Sequence, residues 1–254
     1  MDKISVSEIK NEYAALNDEG CISFAEKYRH DERPGVVSLV KRADKRHDAL
    51  IAEKARMKKM FEFEEKYSAF SYICGIDEVG RGPFAGPVVA GAVILPKNCS
   101  LLYLNDSKQL SEKKREELFD MIINEAVSYG LGQVSNERID EVNILNATYE
   151  AMRQAISKLD PAPDLLLNDA VNIPGLGDLK QVPIIKGDTL SASIAAASII
   201  AKVTRDRLMV EYDSIYPGYG FAKNKGYGSA DHIKALKELG PTPIHRRSFI
   251  HNYI

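Results

Sequence analysis

Two adjacent carboxylates, Asp77 and Glu78, are the residues of this chain whose types and setting point most directly to chemistry. They lie with Arg81 between two apolar runs, in a stretch that reads YICGIDEVGRGPFAGPVVAGAVIL over residues 72–95. Carboxylates in an apolar strand repel each other, and burying them is costly unless a cation or hydrogen bonds compensate their charge. A divalent metal ion is the simplest compensation. The alternative is that the acidic pair ends its strand in solvent.

The flanking runs, residues 72–76 and 88–95, have the composition of strands and predict a β-hairpin. Glycines and prolines fill the connection, at Gly80, Gly82, Pro83, Gly86 and Pro87. Such a connection leaves bare backbone that can approach another molecule closely. Because consecutive strand side chains point to opposite faces, Asp77 and Glu78 share one site only under certain conditions. The strand must end or bulge there, or one residue must act partly through its backbone oxygen.

Two further aspartates stand where strands are predicted to end. Asp169 follows the apolar run 165–167, which is typical of a strand in a sheet covered on both faces. Asp188 follows a predicted strand at residues 182–185. Open sheets assemble their sites at strand ends, and four hard oxygen donors suit Mg²⁺ or Mn²⁺ better than zinc. Asp188 has a second interpretation, because an Asp just before a long helix is an ordinary N-cap.

The elements that must position these groups alternate between strands and helices, which indicates an α/β domain with a mixed sheet. Helices are predicted from Glu112 to about residue 128, with Ser111 as N-cap, and over residues 144–159. Between them lies a short strand at residues 131–135. A last helix is predicted over residues 230–239.

A long helix is predicted from about residue 190 to 216, and its first two turns are built from serine and alanine. Small residues let a helix backbone lie close to its neighbour, here the sheet edge that bears Asp77. The alternative is simple alanine-rich helix propensity. The second half of this helix is amphipathic, with polar residues at Lys202, Arg205, Asp206 and Arg207.

Three segments could contact phosphate groups. The loop GYGFAKNKGYG, residues 218–228, interleaves lysine with tyrosine, a combination that suits a sugar-phosphate backbone; the alternative is an ordinary surface loop. Residues 245–247 read His-Arg-Arg. Ser107 and Lys108 lie in a polar loop, for which ordinary loop chemistry beside the Ser111 cap is the preferred interpretation.

Residues 1–68 predict a separate helical extension, with a turn at residues 31–35. One function for it is an arm that lays basic residues along phosphates, namely Lys41, Arg42, Lys45 and Arg46. The preferred alternative is a solvated helix face.

Composition excludes several classes of protein. The formal charge of −2 over 254 residues gives no global basic signal, so a nucleic-acid partner would need a local basic patch. The three cysteines are widely spaced and contain no CxxC pair, which disfavours a disulfide framework or a zinc site. The start of the chain is too polar for a signal peptide, and the most apolar helix is too short to span a bilayer. A cytoplasmic protein without membrane contact is expected.

The string GIDEVGRGPFAGPVVA resembles the signature of bacterial ribonuclease HII, the type 2 ribonuclease H family. Further matches cover roughly residues 72–250 in family order: NDSKQL at 105–110, LLLNDA at 165–170, KGD at 186–188, AAASIIAKVTRD at 195–206 and KGYG at 225–228. Type 3 relatives lack the arginine of the Gly-Arg-Gly element, so Arg81 favours type 2. Asn168 occupies a position where the family more often has an apolar or other small residue.

The resemblance implies a ribonuclease H-like mixed sheet flanked by helices, with a catalytic domain at residues 69–254 after the extension at 1–68. It implies that the catalytic and metal-binding residues are Asp77, Glu78, Asp169 and Asp188. It also implies that backbone groups of Gly80, Arg81 and Gly82 contact the ribonucleotide 2′-hydroxyl. Tyr227 would stack on the following deoxyribose.

The implied activity is hydrolysis of RNA in RNA/DNA hybrids and nicking of DNA 5′ of embedded ribonucleotides, with Mg²⁺ or Mn²⁺ as cofactor. The ends would be 5′-phosphate and 3′-hydroxyl, and the enzyme would act as a monomer in ribonucleotide and primer removal. Two alternatives remain open from the residues. One is a ribonuclease H-like nuclease on branched DNA, and the other is a non-catalytic module that binds hybrid duplex.

Overall fold

The computed structural model describes residues 4–254, and the hairpin predicted around Asp77 lies at the centre of its sheet. The chain divides into two units, Met1–Lys59 and Met60–Ile254. Residues 1–3 of the predicted extension lie outside the described part.

The second unit contains the sheet. Its elements in chain order are α4 Glu62–Lys66, β1 Ile73–Val79, β2 Val88–Ile94, α5 Glu112–Glu125, β3 Ser128–Val134, α6 Asn136–Ser157, β4 Leu165–Asp169, β5 Lys180–Ile184, α7 Ala192–Ile215, α8 Phe221–Asn224, α9 Ala230–Leu239 and α10 Arg247–Ile250, where numbering continues from α1–α3 of the first unit. Short 3₁₀ turns cover Ser107–Gln109 and Gly187–Thr189.

The sheet is mixed, as predicted, with strand order β3-β2-β1-β4-β5. β1 pairs antiparallel with β2 and parallel with β4. The β1–β2 register runs without a bulge as far as Val79↔Val89, whereas the β1–β4 register ends at Ile76↔Asn168. From Asp77 onward, β1 is therefore paired on one side only, which opens the sheet at that point.

Helix α7 packs directly on β1 and β2. A Cβ atom added to Gly75 would lie 2.1 Å from the backbone of Ser193, and one added to Gly91 would lie 2.4 Å from the carbonyl oxygen of Ala197. The close approach predicted from the small residues of α7 is therefore confirmed. The predicted edge position of the Asp77 strand is wrong, because β1 is the central strand.

Helix α6 covers the other face of the sheet. A Cβ added to Gly132 would lie 1.8 Å from the carbonyl oxygen of Ala151. Gly132 pairs with Ala90, which faces the opposite side of the sheet from its neighbour Gly91. The core between α6 and the sheet includes Cys74, Ile76, Ala92, Ile94, Ala147, Met152 and Ile156. Two closely packed helices thus clamp the central strands, which fixes the backbone that carries the acidic pair.

The largest difference between predicted and observed helix boundaries is in α6. α6 starts at Asn136, earlier than predicted, and is interrupted at Asn143, whose φ is 66°. The Asn143 carboxamide accepts a hydrogen bond from the Asn146 amide at 3.1 Å, so the predicted helix at 144–159 corresponds to the second half of α6. α9 has the predicted bounds.

The first unit contains α1 Val6–Ala14, α2 Cys21–Tyr28 and, except for its last residue, α3 Pro34–Met60. The predicted turn at residues 31–35 separates α2 from α3, and Pro34 occupies the first helical position, where it sacrifices no hydrogen bond. The core of this unit is formed by Ile9, Tyr13, Cys21, Phe24, Ala25, Tyr28, Val36, Leu39, Val40 and Ala43. Of the basic residues considered for an arm, Arg46 pairs with Asp18 at 2.6 Å and Arg42 lies over the Tyr13 ring.

Across residues 4–254, every helix is too short or too polar to cross a membrane. Cys21, Cys74 and Cys99 are free thiols.

Candidate active site

The four acidic residues singled out in the sequence lie at one end of the sheet. Asp77 lies near the end of β1, Asp169 ends the neighbouring parallel strand β4, and Asp188 lies in the turn after β5. The Asp169 carboxylate accepts a hydrogen bond from the Gly187 amide at 2.8 Å. Asp169 therefore fixes the turn that carries Asp188.

The charges of Asp77 and Glu78 act near that of Asp169, at the point where β1 loses its β4 partner. Burial raises the pKa of Asp77 well above its usual range, and the charges of Glu78 and Asp169 add to that effect. Burial also raises the pKa of Glu78, against the lowering effect of Arg81, and the charge of Asp169 raises it further. Both carboxylates thus interact with Asp169, although they are consecutive in an unbulged strand.

Asp188 belongs to the same cluster of charges. Burial raises the pKa of its carboxyl group, and the charges of Asp106 and Asp169 raise it further, while Lys108 lowers it. Asp188 is not the N-cap of α7, so that alternative is wrong. Ser191 is the N-cap, and its hydroxyl accepts a hydrogen bond from the Ile194 amide.

Lys108 is a site residue that the sequence reasoning set aside. Its ammonium group lies 3.8 Å from Asp106 Oδ1 and 4.0 Å from Asp188 Oδ2. Burial opposes its charge, but the combined charges of the surrounding aspartates outweigh burial and raise the pKa of Lys108. Ser111 caps α5 as predicted, so the cap is real but does not account for Lys108. The NDSKQL match was the signal for this residue.

Two buried serines form a chain of hydrogen bonds to Asp77. The Ser198 hydroxyl hydrogen-bonds the Asp77 carboxylate, which lowers its pKa against the larger effect of burial. Ser198 in turn lies 2.9 Å from the Ser107 hydroxyl, and both serines are buried. In the sequence, Ser198 is one of several small residues expected to pack against the sheet. Nothing in the local pattern distinguishes it from the others.

A hard divalent cation fits this donor set. Within residues 4–254, no group of three or more His, Cys, Asp or Glu side chains is already arranged to hold a metal ion. However, three neighbouring carboxyl groups have raised pKa values, although Arg81 offsets part of the charge of Glu78 and Lys108 part of that of Asp188. Oxygen donors with an excess of negative charge are what Mg²⁺ and Mn²⁺ prefer.

The glycine-rich connection borders the carboxylates. Arg81 is half-exposed and its guanidinium lies 3.3 Å from Glu78. A Cβ added to Gly82 would lie 3.8 Å from the Tyr227 ring and would meet no closer atom. Tyr227 is 44% exposed, and it lines with Glu78 a cavity of about 350 Å³ that also includes Val79, Ser107, Lys108, Arg115, Ser198 and Lys202. Glu78 and the tyrosine ring thus line one cleft, and the backbone of Gly82 lies beside that ring.

Two expectations about basic residues are wrong. His245 and Arg246, predicted as phosphate contacts, are buried, and Arg246 donates hydrogen bonds to carbonyl oxygens of the Gly80–Gly86 connection. Arg205, predicted on the polar face of an amphipathic helix, is fully buried. Among residues 245–247, Arg247 alone remains exposed.

Glu64 of α4 anchors the start of α7. Its Oε1 atom accepts hydrogen bonds from the hydroxyls of Ser191 and Ser193, at 2.6 and 2.7 Å, and from the Ser193 amide at 2.9 Å. We expect Glu64→Ala to lower the free energy of unfolding by about 1–3 kcal/mol, because these donors would lose their acceptor. Urea denaturation measures the change, with the exposed Glu65→Ala as control. Equal stability of both variants would show that Glu64 is not an anchor.

Comparisons with known proteins show the family to which the chain is related. Residues 74–252 match the family model "Ribonuclease HII", and residues 5–68 match "Ribonuclease HII N-terminal domain". The chain is 63% identical over 249 residues to ribonuclease HII of Lachnoclostridium phytofermentans, covering 98% of both chains. It is 51% identical over 256 residues to ribonuclease HII of Clostridioides difficile, covering 100% of both chains.

Among solved structures, ribonuclease H2 from Pyrococcus horikoshii OT3 matches with a TM-score of 0.60 at 27% identity. The match covers 72% of this chain and 97% of that chain. The predicted ribonuclease H-like fold is therefore confirmed. With family models that together match most of its length, the chain belongs to the ribonuclease HII family.

Proposed function

We propose that this ribonuclease H nicks duplex DNA on the 5′ side of embedded ribonucleotides, in addition to cutting the RNA strand of RNA/DNA hybrids. The observation that carries the proposal is the shared cleft. Glu78 and the exposed ring of Tyr227 line it together, and the bare backbone of Gly82 lies beside that ring. Cleavage chemistry and recognition of a sugar are thereby brought together.

In the proposed reaction, Asp77, Glu78, Asp169 and Asp188 would hold Mg²⁺ or Mn²⁺. Such an ion would supply Lewis acidity toward the phosphodiester and lower the pKa of a coordinated water. The Ser107–Ser198 pair holds the Asp77 carboxylate in place. The Lys108 ammonium, within 4.0 Å of Asp188, offsets part of the acidic charge where the anionic substrate must approach.

The proposed recognition of the ribonucleotide depends on the connection after β1. Backbone groups of Gly80, Arg81 and Gly82 contact the 2′-hydroxyl, which is the group that distinguishes RNA from DNA at one nucleotide. Tyr227 stacks on the deoxyribose that follows, where a second hydroxyl would clash. The support for this reading is the exposure of Gly82 and Tyr227 and their position across one opening.

The nicking activity is tested with a labelled DNA duplex that contains one ribonucleotide. We expect Mg²⁺- or Mn²⁺-dependent cleavage 5′ of that ribonucleotide, with 5′-phosphate and 3′-hydroxyl ends, and loss of cleavage when a chelator removes the metal. The all-DNA duplex and a branched DNA are the controls. If the lone ribonucleotide is ignored while a continuous hybrid is cut, recognition of the RNA-to-DNA step is wrong. Cleavage of branched DNA would favour the alternative nuclease, and binding without cleavage would favour a non-catalytic module.

We expect Tyr227→Ala to impair cleavage at a lone ribonucleotide more than cleavage within an RNA tract. Only the lone ribonucleotide is followed immediately by a deoxyribose on which the ring would stack, and such stacking contributes about 1–3 kcal/mol. Steady-state kcat/KM on the two substrates measures the difference. Tyr227→Phe, which keeps the ring, is the matched control. Equal losses on both substrates would mean that Tyr227 only supports its loop.

The broader assignments extend the same proposal. We propose that the enzyme acts in the cytoplasm as a monomer and removes misincorporated ribonucleotides and RNA primers. We also propose residues 69–254 as the catalytic domain and residues 1–68 as an accessory extension. The support for this division is that the two matched family models meet between residues 68 and 74.

A further inference from the structure

Arg205 on α7 is fully buried, and its three hydrogen bonds go to backbone carbonyl oxygens. Nε donates to Pro87 at 2.9 Å, Nη2 donates to Ala85 at 3.0 Å, and Nη1 donates to Lys225 at 2.9 Å. Two of these acceptors end the glycine-rich connection, and the third lies two residues before Tyr227. One side chain therefore links the two segments that are proposed to read the substrate.

The two segments also meet directly around Arg205. The amides of Phe84 and Ala85 donate to the Gly226 carbonyl at 2.8 and 3.3 Å. A Cβ on Gly80 would lie 2.2 Å from Arg205 Nε, and a Cβ on Gly226 would lie 2.5 Å from the Ala85 carbonyl oxygen. Both glycines have positive φ, of 90° and 84°. The contact leaves no room for a side chain at either glycine, so the guanidinium and these amide hydrogen bonds hold the two segments at close separation.

Arg246 makes a contrast with Arg205, although it is equally buried. Its guanidinium donates to the carbonyls of Gly80, Arg81 and Gly86, all within the connection after β1. Arg246 therefore shapes that connection, whereas Arg205 joins it to the segment before Tyr227.

A histidine pair holds Tyr227 from the other side. His232 Nδ1 lies 2.8 Å from the Tyr227 carbonyl, so this nitrogen must carry a proton, and His232 Nε2 must accept one from His245 Nε2 at 3.0 Å. His245 Nδ1 is then an acceptor, which suits the Thr242 amide at 2.9 Å. This one set of tautomers satisfies every contact, so the backbone of Tyr227 is held independently of Arg205.

Geometry, more than stability, explains an arginine at position 205. A buried guanidinium costs desolvation free energy, and apolar side chains of similar volume often replace buried charges without loss of stability. Burial lowers the pKa of Arg205 to about 10, so the group remains charged at neutral pH. What an apolar residue or lysine cannot reproduce is a rigid planar fork with donors directed at three carbonyls.

We propose that Arg205 is a positioning residue that sets the register between Gly80–Gly82 and Tyr227, and thereby determines discrimination at an RNA-to-DNA step. The proposal rests on the function proposed above for these two segments. It assigns Arg205 no contact with the substrate. Its effect on discrimination must therefore pass through the placement of Tyr227 relative to Gly80–Gly82.

The test compares Arg205→Lys with wild type on a lone ribonucleotide and on a continuous hybrid. Lysine keeps the positive charge but lacks the planar guanidinium that donates to three carbonyls at once. We expect kcat/KM at the lone ribonucleotide to fall by about 10- to 100-fold relative to the hybrid, the scale of a small misplacement of a substrate-positioning group. In a Tyr227→Ala background, Arg205→Lys should change that ratio no further. Arg207→Lys, at an exposed position on the same helix, is the control and should match wild type.

Equal losses on both substrates, or an additive effect in the Tyr227→Ala background, would overturn the proposal, because Arg205 would then be a structural residue only. If Arg205→Lys does not fold, Asn224→Ala replaces it. Asn224 is half-buried, and its carboxamide oxygen accepts a hydrogen bond from the Gly226 amide at 2.8 Å. Its loss should weaken the contact between Gly226 and residues 84–85. An unchanged substrate ratio in Asn224→Ala would overturn the proposal, and a fallen ratio would support it.

Amide hydrogen exchange separates this proposal from the proposed function. If the wild-type enzyme does not cleave at a lone ribonucleotide, the proposed function fails. The effect of Arg205 on the two segments is then measured by amide hydrogen exchange alone. Faster exchange of the Phe84 and Gly226 amides in Arg205→Lys, with unchanged exchange in β2, would support the positioning role. Unchanged exchange at both amides would overturn it.

Discussion

Asp188→Asn is expected to reduce metal-dependent cleavage by roughly 10²- to 10³-fold, the scale for loss of one preorganised electrostatic group, without lowering the melting temperature. Asparagine keeps the shape and one oxygen of the side chain but cannot balance the charge of a divalent cation. Stability should not fall, because Ser191 caps α7 and Asp188 does not. The charges of Asp106 and Asp169 oppose ionisation of Asp188, so the neutral side chain removes repulsion.

The measurement combines a thermal melt with cleavage rates over a range of Mn²⁺ concentrations and direct Mn²⁺ binding by calorimetry. Ser191→Ala is the matched control, since it removes the true cap. That control should lose about 1 kcal/mol of stability and retain cleavage. Full turnover of Asp188→Asn at low Mn²⁺, together with unchanged Mn²⁺ affinity, would remove Asp188 from the metal-binding set.

Gly82→Ala is expected to fold normally and to lose about 10²-fold in cleavage at a lone ribonucleotide, the cost of a small misplacement at a reacting centre. The added methyl group would meet only the Tyr227 ring, at an ordinary contact distance of 3.8 Å. It would therefore occupy the opening where the sugar is proposed to lie and leave the protein's own packing unchanged. Thermal melts and single-turnover cleavage of the ribonucleotide duplex measure the two effects.

Gly80→Ala is the control that separates folding from recognition. Gly80 has a φ of 90°, and its added Cβ would lie 2.2 Å from Arg205 Nε. Backbone strain of this kind costs about 1–3 kcal/mol before the overlap is counted, so the melting temperature should fall clearly. If Gly82→Ala cleaves the lone ribonucleotide as fast as wild type, the sugar does not approach this backbone, and the proposed contact fails.

The sequence by itself determined most of the elements and the acidic residues at their ends. Apolar runs of strand composition around Asp77 predicted the hairpin, and small residues after Ser191 predicted a helix packed tightly on the sheet. The positions of Asp169 and Asp188 after predicted strands indicated that they would meet Asp77 at one end of that sheet. These are local signals, because a strand's alternation, a helix cap and a run of small residues are all encoded within a few positions.

Only the tertiary structure decided which groups complete the site. Asp77 and Glu78 lie just beyond the point where the β1–β4 pairing ends at Ile76, and the extent of that pairing is a tertiary property. Lys108 and Ser198 reach the aspartates from distant segments. The burial of charged side chains is the clearest case: Arg205 and Arg246 occupy polar-looking stretches, yet both are fully buried. Their partners are backbone carbonyls, which every residue possesses, so no side-chain pattern in the sequence can reveal them.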